Sequence, residues 1–136
     1  MANDLGQFAR RMKELGRQIE VNSNDAAIET ALAASTAVTL ATPVDTGRAR
    51  ANWQAELGSP ITEPTDAEDQ AGSDTINRNR SRIRSRRGEQ PIFLSNNLPY
   101  IGALNAGSSA QAPANFVETA VQAGVRAIRK ARLLRR

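Results

Sequence analysis

The chain has 136 residues and a formal net charge of +4, and it contains neither cysteine nor histidine. Without cysteine there are no disulfides and no thiolate chemistry, and without histidine the chain lacks the side chain that most general acid–base catalysis and many transition-metal sites use. The remaining carboxylates, such as Asp25 and Glu56, are scattered with no evident pair. We therefore expect no enzyme, no cofactor and no metal site.

The length fits one domain, residues 1–136, with a core of small residues, because 40% of the residues are hydrophobic but only 4% are aromatic. No apolar run approaches the roughly 18 residues needed to cross a bilayer. The first residues, Met1 to Lys13, lack the apolar centre of a signal peptide. The sequence thus predicts a protein without a membrane partner, assembled in the cytoplasm.

A helical part is predicted over residues 1–42. Apolar residues three and four positions apart form one stripe on a first helix: Leu5, Phe8, Met12, Leu15 and Ile19. The cluster from Asn22 to Asp25 consists of residues that cap helix N-termini, so a second helix is expected from Asp25. Pro43 ends it.

A strand is predicted over residues 43–57. After the turn Asp45-Thr46-Gly47, apolar residues alternate with polar ones through Leu57, and the single tryptophan, Trp53, is expected to anchor the core. We expect Gly47 to adopt a positive φ while Asp45 and Thr46 accept hydrogen bonds from nearby amides. The polar face of the strand would carry Arg48 and Arg50.

Residues 58–90 form a charged excursion that we predict to be a long, flexible loop. Its first half is acidic and its second half is basic; the residues expected to make contacts are Glu63, Asp66, Glu68, Asp69, Arg78, Arg80, Arg82, Arg84, Arg86 and Arg87. On a strand, the alternating arginines would share one face. On a helix, Arg78, Arg82 and Arg86 would form one row and Arg80 and Arg84 another.

The last part, residues 91–136, is predicted to hold a strand, a loop and a C-terminal helix. Ile92 to Leu94 form the strand, Pro99 can begin a short helical turn, and Pro113 suits the first turn of the final helix. The fold class is therefore α+β: a small antiparallel sheet covered by two N-terminal helices and one C-terminal helix. Because a two-stranded sheet is marginal alone, either further strands lie in the excursion or neighbouring subunits complete the sheet.

Two segments carry a resemblance to a known family. One runs from Pro43 to Arg50 and is followed by Trp53; the other runs from Asn96 to Ile101 and continues to Val117. Together, in this order, they resemble the tail-completion, or tail-to-head joining, family of long-tailed double-stranded DNA phages. The resemblance covers roughly residues 43–121, and the N-terminal helices match only in type.

The resemblance implies a structural subunit of the virion, without catalysis, that forms a homo-oligomeric ring of six in the phage neck. Its partners would be a head-side connector or stopper protein, a tail terminator or tail-tube protein, and the DNA that passes through the lumen. Asn105 stands where many relatives carry a carboxylate, so a salt bridge from that position is not expected.

Ten residues of the two segments are candidates for the subunit interface: Asp45, Thr46, Gly47, Arg48, Arg50, Tyr100, Gly107, Ser108, Gln111 and Pro113. Tyr100 combines an apolar ring with a polar tip, which suits an interface or a core edge. Arg48 and Arg50 would meet the acidic excursion of the next subunit, or else be solvated. Residues 107–113 fit an interface and a plain loop before a helix equally well.

Two other functions fit the sequence. A tail terminator is a similar small ring one layer along. A small DNA-binding protein would use Arg78 to Arg87 and the basic C-terminal helix against phosphates. No aromatic residues interleave with those arginines, and no base-reading motif is present, so such binding would be non-specific.

Overall fold

The computed structural model describes the backbone of residues 2–134 and the side chains of residues 6–14 and 24–130. Its elements in chain order are α1 (Ala2–Ala41), α2 (Arg48–Ala51), β1 (Gln54–Leu57), α3 (Ser73–Arg84), β2 (Ile92–Ser95), α4 (Ile101–Asn105) and α5 (Phe116–Leu134). The fold is α+β, as predicted. β1 and β2 pair antiparallel, from Gln54 opposite Ser95 to Leu57 opposite Ile92. They are the only strands in the described residues.

The N-terminal part is one helix of 40 residues, α1, so the prediction of two helices was wrong. The cluster at residues 22–25 contains neither proline nor glycine, and cap-forming residues only weakly oppose a helix that tertiary packing favours. Asn24 instead accepts a hydrogen bond from Arg86 Nη1 at 2.6 Å. α1 ends at Ala41, where the proline at position 43 predicts its end.

The strand predicted from residue 43 begins only at Gln54, because residues 48–51 form the short helix α2. Alanine and arginine are both strong helix formers, and this overrides the alternation there. Trp53 lies between the two elements, is 7% exposed, and donates from Nε1 to Thr42 Oγ1 at 2.8 Å. The predicted role of Trp53 as a core anchor is confirmed.

The charged excursion is not one long loop, because its second half forms α3. α3 contacts both β1 and α1, and it buries Thr75, Asn79 and Ile83 to 1% exposure or less. Two of these three residues are polar, so hydrophobic patterning does not reveal the buried face. Asn79 replaces apolar packing with hydrogen bonds: its Oδ1 accepts from Ala55 N at 3.0 Å and its Nδ2 donates to Trp53 O at 2.8 Å.

α5 begins at Phe116, three residues after Pro113, because Asn115 adopts a positive φ of 64° just before the helix. The helix then runs back along α1. At the crossing, a Cβ placed on Gly124 would lie 2.8 Å from the carbonyl oxygen of Ala33, so only glycine allows this approach. The seam between α1 and α5 is therefore tightest at Gly124, where both helices carry small residues.

Candidate interaction site

The two segments that carry the resemblance lie side by side, although 45 residues lie between Arg50 and Asn96 in the chain. Gln111 pairs with the backbone of Val44 in both directions: its Oε1 accepts from Val44 N at 2.9 Å, and its Nε2 donates to Val44 O at 2.8 Å. Asn96 Nδ2 donates to Ala49 O at 3.0 Å. These side-chain amides fasten the second segment to the first.

Between the segments lies an open surface cavity of about 230 Å³, which we call the shared cavity. Tyr100 is 41% exposed and lines it together with Leu104. The remaining lining residues are Pro43, Val44, Asp45, Thr46, Gly47, Arg48, Ala49, Ser109 and Gln111. Small-molecule sites usually exceed about 300 Å³ and enclose their ligand. The size of the shared cavity suits the tip of a partner's side chain better than a cofactor.

The turn before α2 has the geometry that the sequence predicts for Gly47. Its φ is 91°, and its carbonyl accepts hydrogen bonds from Ala51 N at 3.0 Å and Asp69 N at 3.1 Å. Thr46 Oγ1 accepts from Arg48 N at 3.2 Å, as expected. The Asp45 side chain is exposed, and only its backbone carbonyl takes part, accepting from Gln70 Nε2 at 3.4 Å.

Within the chain, Arg48 and Arg50 both bond to the excursion, and a contact of either residue with a neighbour's excursion stays a prediction. Arg48 Nη2 lies 3.2 Å from Asp66 Oδ1. Arg50 donates to four carbonyl oxygens, those of Leu40, Thr42, Gln70 and Ala71, at 2.9 to 3.3 Å. The sequence could not distinguish the two possibilities, because the partners of Arg50 are backbone atoms.

The acidic half of the excursion is hydrogen-bonded to the body of the domain, and its flexibility in the free subunit stays a prediction. Asn52 is fully buried; its Oδ1 accepts from Thr65 N at 2.8 Å and its Nδ2 donates to Thr65 O at 2.9 Å. Gln54 Nε2 donates to Glu63 O at 3.0 Å. Asn52 was not singled out from the sequence, because a lone asparagine after alternating arginine and alanine resembles an ordinary turn residue.

Asp69 holds the start of α3. Its Oδ1 accepts from Gly72 N at 2.9 Å, and its Oδ2 accepts from Thr75 N and Thr75 Oγ1, both at 2.8 Å. Burial raises the pKa of Asp69, but the hydrogen bonds from Thr75 and Gly72 and the positive charge of Arg50 outweigh it, so the pKa lies below its ordinary value. The charge of Asp69 serves a cap and is not offered to a partner.

The arginine run lies on a helix, and its two rows have different environments. In the first row, Arg78 Nη2 donates to Ala51 O at 3.1 Å and Trp53 O at 2.8 Å, and Arg82 Nε donates to Glu56 Oε1 at 2.6 Å. The backbone amide of Leu57 and the guanidinium of Arg82 lower the pKa of Glu56. Arg86, just beyond α3, completes this row through its Nη1 bond to Asn24 and an Nε bond to Gln90 O at 2.8 Å.

The second row, Arg80 and Arg84, is exposed and makes no ion pair within the described side chains. Both residues border a shallow apolar depression between α1 and α5 that includes Leu32 and Ile128. Arg87 is also exposed and only donates to Arg86 O at 3.4 Å. Within the arginine run, the guanidinium groups left for a partner are thus those of Arg80, Arg84 and Arg87.

The remaining candidates lie on the surface. Gly107, with φ 97°, Ser108 and Pro113 are exposed in the loop between α4 and α5, and Glu63 and Glu68 are exposed on the excursion. Asn105 stabilises this loop: its Nδ2 donates to Glu118 Oε1 at 2.9 Å and its Oδ1 accepts from Val117 N at 3.0 Å. The amide thus bonds to a carboxylate where an ion pair is not expected.

Among the described side chains, no three carboxylates come together in a way that could hold a metal ion. None of the helices found between residues 2 and 134 is both long and apolar enough to cross a membrane. Comparisons with family models, with curated protein sequences and with solved structures found no match.

Proposed function

We propose that the chain is a non-enzymatic structural subunit of the neck of a long-tailed double-stranded DNA phage, where six copies form a ring that completes the tail and joins it to the head. The observation that carries this proposal is the meeting of the two resembling segments at one exposed, concave surface. Segments that serve only the core have no need to meet at the outside of the fold.

The shared cavity supports a contact between subunits. It presents an exposed tyrosine, Tyr100, on a frame fixed by Gln111 and by the Gly47 turn. Tyrosines in well-supported positions contribute disproportionately to protein interfaces. In the ring, the shared cavity receives a side chain from the next copy or from an adjoining layer, either the head-side connector or stopper or the tail terminator or tube.

DNA passes through the lumen of this ring without being read by sequence. Arg80, Arg84 and Arg87 are exposed and, unlike Arg78, Arg82 and Arg86, make no hydrogen bond or ion pair to another element of the described chain. Because several exposed guanidinium groups suit phosphates, the second candidate function is a small non-specific DNA-binding protein. A tail terminator would use the same kind of ring one layer along.

Particle assembly tests the proposal. Cells that produce the phage without this chain should accumulate separate filled heads and finished tails, seen by negative-stain electron microscopy, and the purified chain should restore joining. Tails of uneven length would instead identify a terminator. Normal particles made without the chain would contradict both neck functions.

A matched pair of variants tests the site. Tyr100→Ala removes the exposed ring, and Thr119→Ala makes a small change at an exposed position of α5 away from the shared cavity. We expect Tyr100→Ala to reduce joining at least about tenfold, equivalent to 1.4 kcal/mol or more at the interface, with an unchanged unfolding temperature. Equal joining by both variants would remove the shared cavity from the interface.

A further inference from the structure

The first part of α1 carries large apolar side chains that the described part of the chain leaves uncovered. Phe8 is 62% exposed and Met12 is 53% exposed. They lie one turn apart on the same side of the helix, and every described side chain from Gly6 to Glu14 is exposed. Single exposed apolar residues are ordinary, but an aligned pair of this size on a bare helix marks an interaction surface.

This surface continues the seam by which α1 packs on α5. At about 100° per residue, Phe8 and Met12 lie on the same side of α1 as Ala26, Thr30 and Ala33. α5 approaches most closely at Gly124, beside Ala33, and its last described residue lies ten positions further on. Ten positions back along α1 from Ala33 is residue 23, so Phe8 and Met12 lie well beyond the part of α1 that α5 covers.

A groove that suits these two side chains lies on the body of the same chain, between α1, β2 and α5. Its volume is about 520 Å³, and it is lined mainly by small aliphatic residues, including Ala27, Ala31, Ala34, Ile92, Val121 and Val125. The arginine at its rim, Arg86, is already bonded to Asn24 and to Gln90 O. The groove therefore offers an apolar surface to which Phe8 and Met12 are complementary in size.

Phe8 and Met12 cannot fill the groove of their own chain. Met12 and Ala27 are 15 residues apart on one continuous helix, which places them about 22 Å apart along its axis. The charges also favour a second copy: Arg11 and Lys13 flank the apolar pair, and Glu89, beside the groove residues Gln90 and Pro91, is exposed without an ion pair among the described side chains.

We propose that Phe8 and Met12 of one copy insert into the groove between α1, β2 and α5 of a second copy. The two surfaces differ, so the contact is head-to-tail, and such contacts close into rings when the rotation between subunits permits. The inference deepens the proposed neck function and rests on it, since it names the contact that links adjacent subunits of the ring.

Cysteine cross-linking tests the contact directly, because the chain has no cysteine of its own. Met12→Cys and Ala27→Cys are made in separate full-length chains, mixed and oxidised, and the products are separated on a non-reducing gel. Arg10 lies on the opposite side of α1 from Met12, so Arg10→Cys replaces Met12→Cys in the control mixture. We expect a mixed Met12–Ala27 dimer and little or none with Arg10→Cys.

Self-association gives an independent measurement. By analytical ultracentrifugation, Phe8→Ala with Met12→Ala should weaken assembly at least tenfold, while Arg10→Ala with Glu14→Ala should not. Met12–Met12 dimers in place of mixed ones, or full assembly by the Phe8 and Met12 variant, would overturn the contact. If that variant still joins heads to tails, only the contact fails; if wild type assembles through this contact but joins nothing, the neck function fails instead.

Discussion

Gly47 connects the shared cavity to the acidic half of the excursion. Its carbonyl receives amides from α2 and from Asp69, so one residue sets the start of α2 and the course of the excursion. A Cβ at this position would lie 2.5 Å from both Asp69 C and Gln70 N, closer than real side-chain atoms approach a backbone. Both the positive φ and the close contact therefore require glycine here.

We expect Gly47→Ala to destabilise the protein by roughly 3 kcal/mol or more, through backbone strain and displacement of the excursion. Gly58→Ala is the matched control, because Gly58 has a φ of 85° but a Cβ added there would meet no atom within 4 Å. Its cost should be only the roughly 1–2 kcal/mol of a left-handed conformation. Urea unfolding measures both, and equal losses would show that the contact with Asp69 is unimportant.

Asp69 makes the stability of α3 depend on pH. Its pKa in the folded protein lies below the ordinary value, so the folded state gains stability from the ionised form above the unfolded pKa of about 3.9. That gain is lost as the pH falls through the folded pKa. Asp69→Asn keeps one acceptor oxygen but loses the charge and the second acceptor, so it should be less stable than wild type at pH 7 by on the order of 1 kcal/mol, and the difference should shrink towards pH 2.

Thermal unfolding between pH 7 and pH 2 tests this expectation. Asp66→Asn is the control, because Asp66 is fully exposed and pairs only with Arg48, so its removal should change little at any pH. A constant difference between wild type and Asp69→Asn across the range would show that the charge of Asp69 does not support the cap.

At the scale of elements, the sequence predicts well where apolar residues or proline decide the structure. The end of α1, the short strand β2 and its antiparallel pairing with β1 depend on such residues, and these predictions are confirmed. The wrong predictions fall where buried polar side chains and their hydrogen bonds determine the structure. α3 buries Thr75 and Asn79, and the partners of Asn52 and Arg50 are mostly backbone atoms, which no pattern of side chains records.

In the candidate site, too, the sequence predicts what a local motif determines and misses what hydrogen bonds between distant residues determine. The Gly47 turn was predicted in position and conformation from a short motif. The pairing of Gln111 with Val44 was not predicted, because it joins residues 67 positions apart through one side-chain amide. The break expected at residues 22–25 failed because these residues only weakly oppose a helix and none of them is proline or glycine.

Asn52 is expected to keep the acidic half of the excursion ordered in the free subunit. Asn52→Ala removes both hydrogen bonds to Thr65, so the Thr65 amide, protected in wild type, should exchange with solvent at least about tenfold faster. Gln54→Ala, which removes only the bond to Glu63 O, should leave Thr65 protected. Hydrogen–deuterium exchange measures the rate at the Thr65 amide. Rapid exchange there in wild type would support the flexible-loop prediction instead.

At the scale of the whole molecule, we infer different roles for the two rows of arginines: one row stabilises the fold, and the other contacts a partner. Arg78 and Arg82 bond to groups of their own chain, whereas Arg80 and Arg84 make no ion pair among the described side chains. Exposed pairs contribute only about 0–1 kcal/mol each, but a closed ring repeats its contacts at every interface. DNA must also slide through a neck, and a lumen lined with arginine would retain phosphates. We therefore place Arg80 and Arg84 at contacts with the exposed carboxylates of an adjacent protein.

Replacing each row with glutamine tests this assignment. Arg78→Gln with Arg82→Gln should lower the free energy of unfolding of the monomer by roughly 1–3 kcal/mol, because carbonyls of Ala51 and Trp53 and the Glu56 carboxylate lose charged partners. Arg80→Gln with Arg84→Gln should leave unfolding unchanged but weaken ring assembly and head–tail joining, increasingly so as salt is lowered, since screening is then least. Duplex binding is measured separately by its salt dependence. If the second variant assembles and joins normally but its particles fail to retain DNA, these arginines contact DNA in the lumen and the protein contact is wrong.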